Sequence, residues 1–370
     1  MPKLSTKLKK AQEEHEKPLW EGPCSNTPNG GITQSMLNLF IVCPERFRVK
    51  YILGLHPPDQ FYKTIEYGNM WHACEESLAA GDKDIFAKLD LYTVELCRRY
   101  PMQQEEVIHW HNVCKLQFPL YVEWWEEHSD VLDRIPLIQE GTFRVPYKVS
   151  GSTVILRGKW DSVDVINGKV WLQENKTKGE IDELLMQRNL NFDLQTMLYL
   201  TALEIHTDDR IEDEEEGYYP LGGVRYNVIR RPLSGGKGSI RQKKNQTLEA
   251  YYEELAGIIR GACGSDWGLP SDEHHFFKRW NVEISAEDVA RFEQQFLAPK
   301  LRELVDWYDE QMYLMEKGKS PFEGKLHWRA PYGIYSQLYD GKPTELDNFL
   351  DSGSRVGLRR ADKLFRELDS

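Results

Sequence analysis

The segment Arg157–Lys178, RGKWDSVDVINGKVWLQENKTK, constrains this chain more than any other. Asn167-Gly168 lies between two runs that alternate apolar and polar, the strongest short-range signal for a β-hairpin closed by a two-residue turn. A turn there pairs Ile166 with Lys169, Val165 with Val170 and Val163 with Leu172, and sets Asp161 opposite Glu174. Side chains alternate faces along a strand, so Asp161, Val163, Val165, Val170, Leu172, Glu174 and Lys176 share one face. That face is apolar near the turn and carries two carboxylates and an ammonium at its far end. Carboxylates at cross-strand distance repel, and a cation between them relieves the repulsion. Oxygen-rich anionic sites of this kind suit magnesium or manganese. The plain alternative is that Asp161 and Glu174 are solvated strand ends with Lys176 as an ordinary counter-charge. A one-residue bulge would also send one carboxylate to the other face.

With 370 residues, 40% of them hydrophobic, the chain can bury a large core. No apolar run approaches the roughly 18 residues of a membrane span. The N-terminal MPKLSTKLKKAQEEHEK has no apolar signal region, so a cytoplasmic protein is expected. Six scattered cysteines without a CxxC pair argue against a zinc finger and read as reduced thiols. The net charge of -12 argues against a surface that binds nucleic acid all over. Charge is segregated, however. His206–Glu216 is strongly acidic and reads as an exposed loop, whereas Arg225–Gln246 holds seven Lys or Arg and no acid. The basic run reads either as a solvated loop or as a phosphate-binding arm.

Along the chain, residues 1–30 read as a disordered leader ending in the turn-rich GPCSNTPNGG. Thr33 or Ser35 can cap a helix through MLNLFIVCPERFRVKYILGL that breaks at Cys43-Pro44. A second helix starts near Lys63 and carries His72, and residues 84–130 read as amphipathic helices rich in aromatics. A lone helical histidine is more often structural than a ligand. Strands are expected at Glu140–Val149, Thr153–Ile166 and Val170–Thr177, then a helix at Ile181–Ile205. On that helix Leu190, Leu194 and Met197 form an apolar stripe, and Arg188, Phe192, Gln195 and Tyr199 follow a second stripe that puts a guanidinium, an amide and a phenol on one face. A strand at Tyr218–Ile229, a helix after Gln246, a strand in HHFFKRWNVEIS and a helix from near Ala286 complete an α/β order.

These positions together resemble the PD-(D/E)XK nuclease superfamily, and within it the RecB-type branch. TQSMLNLFIVCPERFRVKYILGL is similar to that branch's opening helices, and Gly68…His72 to its G-x-x-x-H helix. Gly158-Lys159-Trp160-Asp161 resembles the G-x-x-D strand, Glu174-Asn175-Lys176 the E-x-K strand, and Gln195…Tyr199 the Q-x-x-x-Y helix. The resemblance implies a restriction-endonuclease-like core, a mixed β-sheet flanked by helices, with helical N- and C-terminal elaborations. The expected parts are the leader 1–30, a helical region 31–135, a nuclease core 136–285 and an extension 286–370.

It further implies a metal-dependent deoxyribonuclease. Asp161, Glu174 and Lys176 would be catalytic, and His72, Asp161, Glu174 and the backbone carbonyl of Asn175 would hold Mg²⁺ or Mn²⁺. Gln195, Tyr199 and Arg188 would contact DNA, with Arg230, Arg231, Lys237, Arg241, Lys243 and Lys244 on the basic segment. Asn175 departs from the family's middle residue, which is harmless if only its carbonyl meets metal. The segment KLHWRAPYGIYSQLYDG lacks the branch's C-terminal cysteines, so no iron–sulfur cluster is expected around Cys43. The implied partner is single-stranded DNA or DNA ends, in recombination, repair or phage metabolism (host cytoplasm if phage-encoded), with any helicase or recombination partner on a separate chain. A structure-selective endonuclease and a non-cleaving DNA-binding protein of the same fold are the alternatives. A glycosidase explains neither Lys176 nor His72, and Ser234–Ser239 is not a nucleotide-binding P-loop.

Overall fold

The structure, a computed structural model, describes residues 18–127, 134–179, 181, 188, 193–211, 219–232, 242–263, 276–317, 358–361, 363–365 and 368. Thr33 caps helix α1 (Gln34–Val42), its hydroxyl accepting the Met36 N–H at 3.4 Å. The helix stops at Cys43, which is extended, as a residue before proline prefers to be. A short helical turn, Pro44–Phe47, follows. Then come α2 (Lys63–Ala79), α3 (Ala87–Arg99) and α4 (Gln104–Glu127). All are close to the expected bounds.

The sheet has five strands in chain order: β1 (Arg134–Val149), β2 (Ser152–Ile166), β3 (Lys169–Lys178), β4 (Leu221–Arg230) and β5 (Phe277–Glu283). Neighbours are antiparallel except β3 and β4, which run parallel. A parallel pair needs a crossover, and helix α5 (Leu194–Ile211) lies on that connection. The expected helix start at Ile181 lies mostly outside the described residues. Beyond β4 come α6 (Leu248–Cys263), and after β5 come α7 (Ala286–Phe292) and α8 (Ala298–Glu316). This is the mixed α/β core that the resemblance implied.

Two apolar clusters hold the described residues together. One joins the sheet to α1, α5 and α8 through Leu37, Trp160, Leu172, Leu198, Tyr226 and Leu301, each at most 1% exposed. The other gathers Trp71, Trp110, Phe118 and Tyr251 from α2, α4 and α6. Trp71 is fully buried against Phe118 and Tyr121, so it is core and not a surface on which bases could stack.

One expectation needs correcting. Residues 1–17 lie outside the described set, but the later part of the supposed leader is packed. Trp20 is fully buried and its indole N–H donates to the Gly31 carbonyl at 2.7 Å. A tryptophan offers enough apolar area to fix a segment whose glycines and prolines suggested only a turn. The far end of the chain closes over the same region. Leu55–His56 pairs antiparallel with Arg359–Arg360, and the Leu364 N–H donates to the Asn29 side chain, 335 residues away.

Candidate metal centre

The hairpin turn is built as the sequence demanded, with Asn167 and Gly168 at φ 52° and 70°. From it the β2–β3 ladder runs from Ile166↔Lys169 to Ser162↔Gln173, the expected register. There the two strands part. β3 stays paired with β4 as far as Lys178↔Arg230, while the Asn175 N–H donates to the Asp161 carboxylate at 2.6 Å. In an extended strand one residue's N–H and C=O point to the same side. The Asn175 carbonyl therefore faces the opening as well. Its side chain points elsewhere, accepting from Asn227 Nδ2 at 2.8 Å, which explains why this position need not be acidic.

The strict alternation expected for β2 is broken at the same place. Trp160 faces α5, its indole donating to the Tyr199 carbonyl at 3.2 Å. Val163 and Val165 pack in the same core, which puts them one residue out of phase with Trp160. Asp161 sits at the slip. Instead of lying flat on the α5 face, it reaches across the opening to α2.

His72 comes from α2, which approaches β3 closely because Gly68 has no side chain. A Cβ on Gly68 would stand 3.3 Å from Thr177 Oγ1. One helical turn further on, His72 Nδ1 lies 3.4 Å from Glu140 Oε1 and 3.7 Å from Asp161 Oδ1. Glu140 is the residue that sequence reasoning missed. It sits in β1 across from the slip, and its φ of 49° is a left-handed conformation uncommon outside glycine. Its side chain is 5% exposed and its other oxygen takes Lys159 Nζ at 2.9 Å. A signal existed in Gly141, since a glycine inside a strand marks a bulge.

The second half of the site lies under α5. Glu174 Oε2 accepts from Lys176 Nζ at 2.8 Å and from Gln195 Nε2 at 2.9 Å, and Lys176 also donates to Gln195 Oε1 at 2.8 Å. Tyr199, one turn beyond Gln195, lies against Gln195 and the Lys159 backbone. This packing needs Gly158, whose absent Cβ would stand 2.9 Å from Tyr199 Cε1 and 2.5 Å from Phe143 Cζ.

Electrostatically the site sets the acids Glu140, Asp161 and Glu174 against the cations His72, Lys159 and Lys176, with Glu75 and Asp193 acting from nearby. Burial pushes the Glu174 carboxyl up to about 7, the nearby Asp161 adding to the effect and Lys176 opposing it. Asp161 is also raised by burial and by Glu140, against the pull of His72. Burial would lower His72, but Asp161 and Glu140 outweigh it and lift it to about 9. Lys176 is lowered by burial and raised more by Glu174 and Asp193, so it is held as an ammonium.

The donor set fits a hard divalent cation. His72, Glu140 and Asp161 present ligand atoms all within 4.8 Å of one another. Glu174 Oε1 is buried without a hydrogen-bond partner, an arrangement costly for a carboxylate unless something else meets it.

The residues expected on the DNA path are scattered. Arg188 is exposed, and Lys237 and Arg241 lie outside the described residues. Arg230 and Arg231 are 4% and 6% exposed, at the end of β4, so they are structural parts of the sheet and not members of a solvent-facing arm. β4 ends at Arg230, one residue beyond the strand expected at Tyr218–Ile229, and the Arg231 N–H donates to the Lys178 carbonyl just past it. Lys243 and Lys244 are exposed, with Lys243 paired to Glu254 at 2.9 Å.

A family model described as the PD-(D/E)XK nuclease superfamily matches residues 32–300. No curated protein matches the chain. Among solved structures, similarity is found to a protein titled "Crystal structure of SSO0001", at 12% identity and a TM-score of 0.21, over 64% of this chain and 87% of that one. A likeness that distant adds nothing to the assignment.

Proposed function

The chain belongs to the PD-(D/E)XK nuclease superfamily, and from that premise we propose that it is a Mg²⁺- or Mn²⁺-dependent deoxyribonuclease of the RecB type that processes single strands or DNA ends. The observation that carries the reading is the opening between β2 and β3, where His72, Glu140 and Asp161 converge, together with the buried, unpartnered oxygen of Glu174 on β3.

Asp161, Glu174, His72 and the Asn175 carbonyl hold the metal in this reading. When bound, such an ion polarises the scissile phosphate, lowers the pKa of an attacking water and stabilises the departing oxygen. The protein supplies the rest. Lys176 carries its ammonium at the floor of the opening, where it orients the water and offsets phosphate charge. The ammonium form suits those two tasks, and a general-base role would first require its proton to leave. Gln195 holds both Glu174 and Lys176 in place, so it positions the catalytic pair. Tyr199 fixes α5 over the strand, which keeps Gln195 in register.

The test compares linear single-stranded, linear duplex and covalently closed circular DNA with Mg²⁺, Mn²⁺ or EDTA, with Lys176→Ala as control. The expected result is metal-dependent loss of the linear substrates alone, abolished by the substitution. Cutting of closed circles would replace the end-processing reading with an endonuclease. Binding without cutting would leave a DNA-binding protein of this fold.

A further inference from the structure

We propose that Glu140 is a ligand of the divalent cation and that Lys159 is the internal cation which leaves Glu140 when the metal enters. The proposal rests on the reading that this site takes a hard divalent ion, and it adds a carboxylate and an exchangeable counter-ion from outside the recognised motifs.

Geometry is the first argument. One nitrogen of His72, Nδ1, faces both Glu140 Oε1 at 3.4 Å and Asp161 Oδ1 at 3.7 Å. An ion with ligands at about 2.0–2.1 Å in octahedral geometry holds neighbouring ligand atoms roughly 3 Å apart and opposite ones roughly 4 Å apart. The two separations from His72 Nδ1 lie between those values, and all three ligand atoms lie within 4.8 Å of one another. If Glu140 merely oriented the histidine from outside, it would bond the ring nitrogen turned away from the metal. Here it shares the nitrogen that faces Asp161.

Backbone conformation is the second. Glu140 adopts φ 49°, a strained state that persists where surrounding structure imposes it and that clusters at functional sites. A solvated glutamate on an edge strand has no use for it. The conformation turns the carboxylate inward, to 5% exposure, beside the slip in β2.

The third argument is a difference between two lysines. Lys176 is 21% exposed and bonds both Glu174 and Gln195, so it is tied in place. Lys159 bonds Glu140 at 2.9 Å but is 32% exposed, and a lysine head on a flexible stem moves into water at little cost. Its ammonium therefore neutralises Glu140 while no metal is bound and yields the oxygen when one arrives.

Calorimetric titration of the full chain with Mn²⁺ tests this, using wild type, Glu140→Gln, Glu140→Asp, Lys159→Gln and the Glu140→Gln/Lys159→Gln double variant. Metal-free melting curves confirm that each is folded. Glu140→Gln is expected to weaken Mn²⁺ tenfold or more, with Glu140→Asp retaining part of the affinity. Lys159→Gln is expected to tighten Mn²⁺ several-fold, and the double variant to match Glu140→Gln, because Lys159 acts only through that carboxylate. Unchanged affinity in Glu140→Gln would overturn the ligand assignment, and unchanged or weaker binding in Lys159→Gln would overturn the exchange. If wild type cuts DNA while Glu140→Gln binds Mn²⁺ normally, this inference alone fails. Should the expected affinities appear in a protein that cuts no nucleic acid, the nuclease reading fails and the ligand set stands. Absence of Mn²⁺ binding by wild type would sink both.

Discussion

The side chain of Asp161 accepts the backbone N–H of Asn175, at 2.6 Å, in the place where the β2–β3 ladder would otherwise have supplied a carbonyl. One carboxylate oxygen thus terminates the pairing and holds the two strands at a fixed opening. The other faces His72.

Substitution at Asp161 should separate these two tasks. Asp161→Asn keeps an oxygen for Asn175 and is expected to fold normally while losing metal binding and nearly all cleavage. Asp161→Ala also strands a backbone N–H, at a cost of about 1–3 kcal/mol. Equal melting temperatures for the two variants would contradict the structural half of this account.

Lys176→Met should lower the cleavage rate by a factor of about 10²–10³, the size of one lost charge-stabilising group. Mn²⁺ affinity should be much less affected, since Lys176 bonds Glu174 Oε2 and leaves Oε1 free for the ion. A parallel collapse of affinity would make Lys176 a structural support of the metal ligands.

Acid–base linkage sets a third expectation. His72 is raised from 6.5 to about 9, so its stabilising contribution is complete below 6.5 and is lost as pH rises through 9. Glu174 is raised from 4.5 to about 7, so the folded state holds a proton that the unfolded state has shed, and stability falls as pH climbs through that window. Both signs agree. His109 and His111, lowered by burial, act in the opposite sense. The site's share is therefore read as the difference in metal-free melting between wild type and His72→Gln, which should shrink from about pH 5 to pH 9 while the melting shift produced by added Mg²⁺ grows. A difference between wild type and His72→Gln that grows with pH would refute the charge arrangement.

Two glycines should respond differently. Gly158→Ala places a methyl 2.5 Å from Phe143 and 2.9 Å from Tyr199, so it should cost about 1–3 kcal/mol and displace α5 with Gln195. Gly68→Ala meets only Thr177 Oγ1 at 3.3 Å, and the better helix propensity of alanine, worth up to about 1 kcal/mol, offsets the crowding. Thermal melts and cleavage rates on both variants check the contrast.

Much of this site was legible because local rules agree there. Asn167-Gly168 fixed the turn, and the turn fixed the register as far as Ser162↔Gln173, one pair short of the expected Asp161 opposite Glu174. What could not be read is what breaks periodicity. Nothing in an alternating pattern signals that Asp161 lies at a phase slip, since that depends on β1 crossing the slip with a left-handed Glu140. Arg230 and Arg231 belong by composition to the basic run, and their burial against the rest of the fold is what the sequence does not show. Trp20 lies among turn residues, and its burial needs partners such as Phe47 and Tyr308 that are far off in sequence.

The bond between Leu364 and Asn29 spans 335 residues, and the Leu55–Arg360 pairing is nearly as long-range. Contacts this distant are slow to form, because the loop-closure entropy must be lost before any contact compensates it. On a ribosome, every acid, histidine and lysine of the metal centre is synthesised well before the segment that straps the first helices down. The strap's pairing is therefore a later event than the synthesis of every residue of the candidate metal centre.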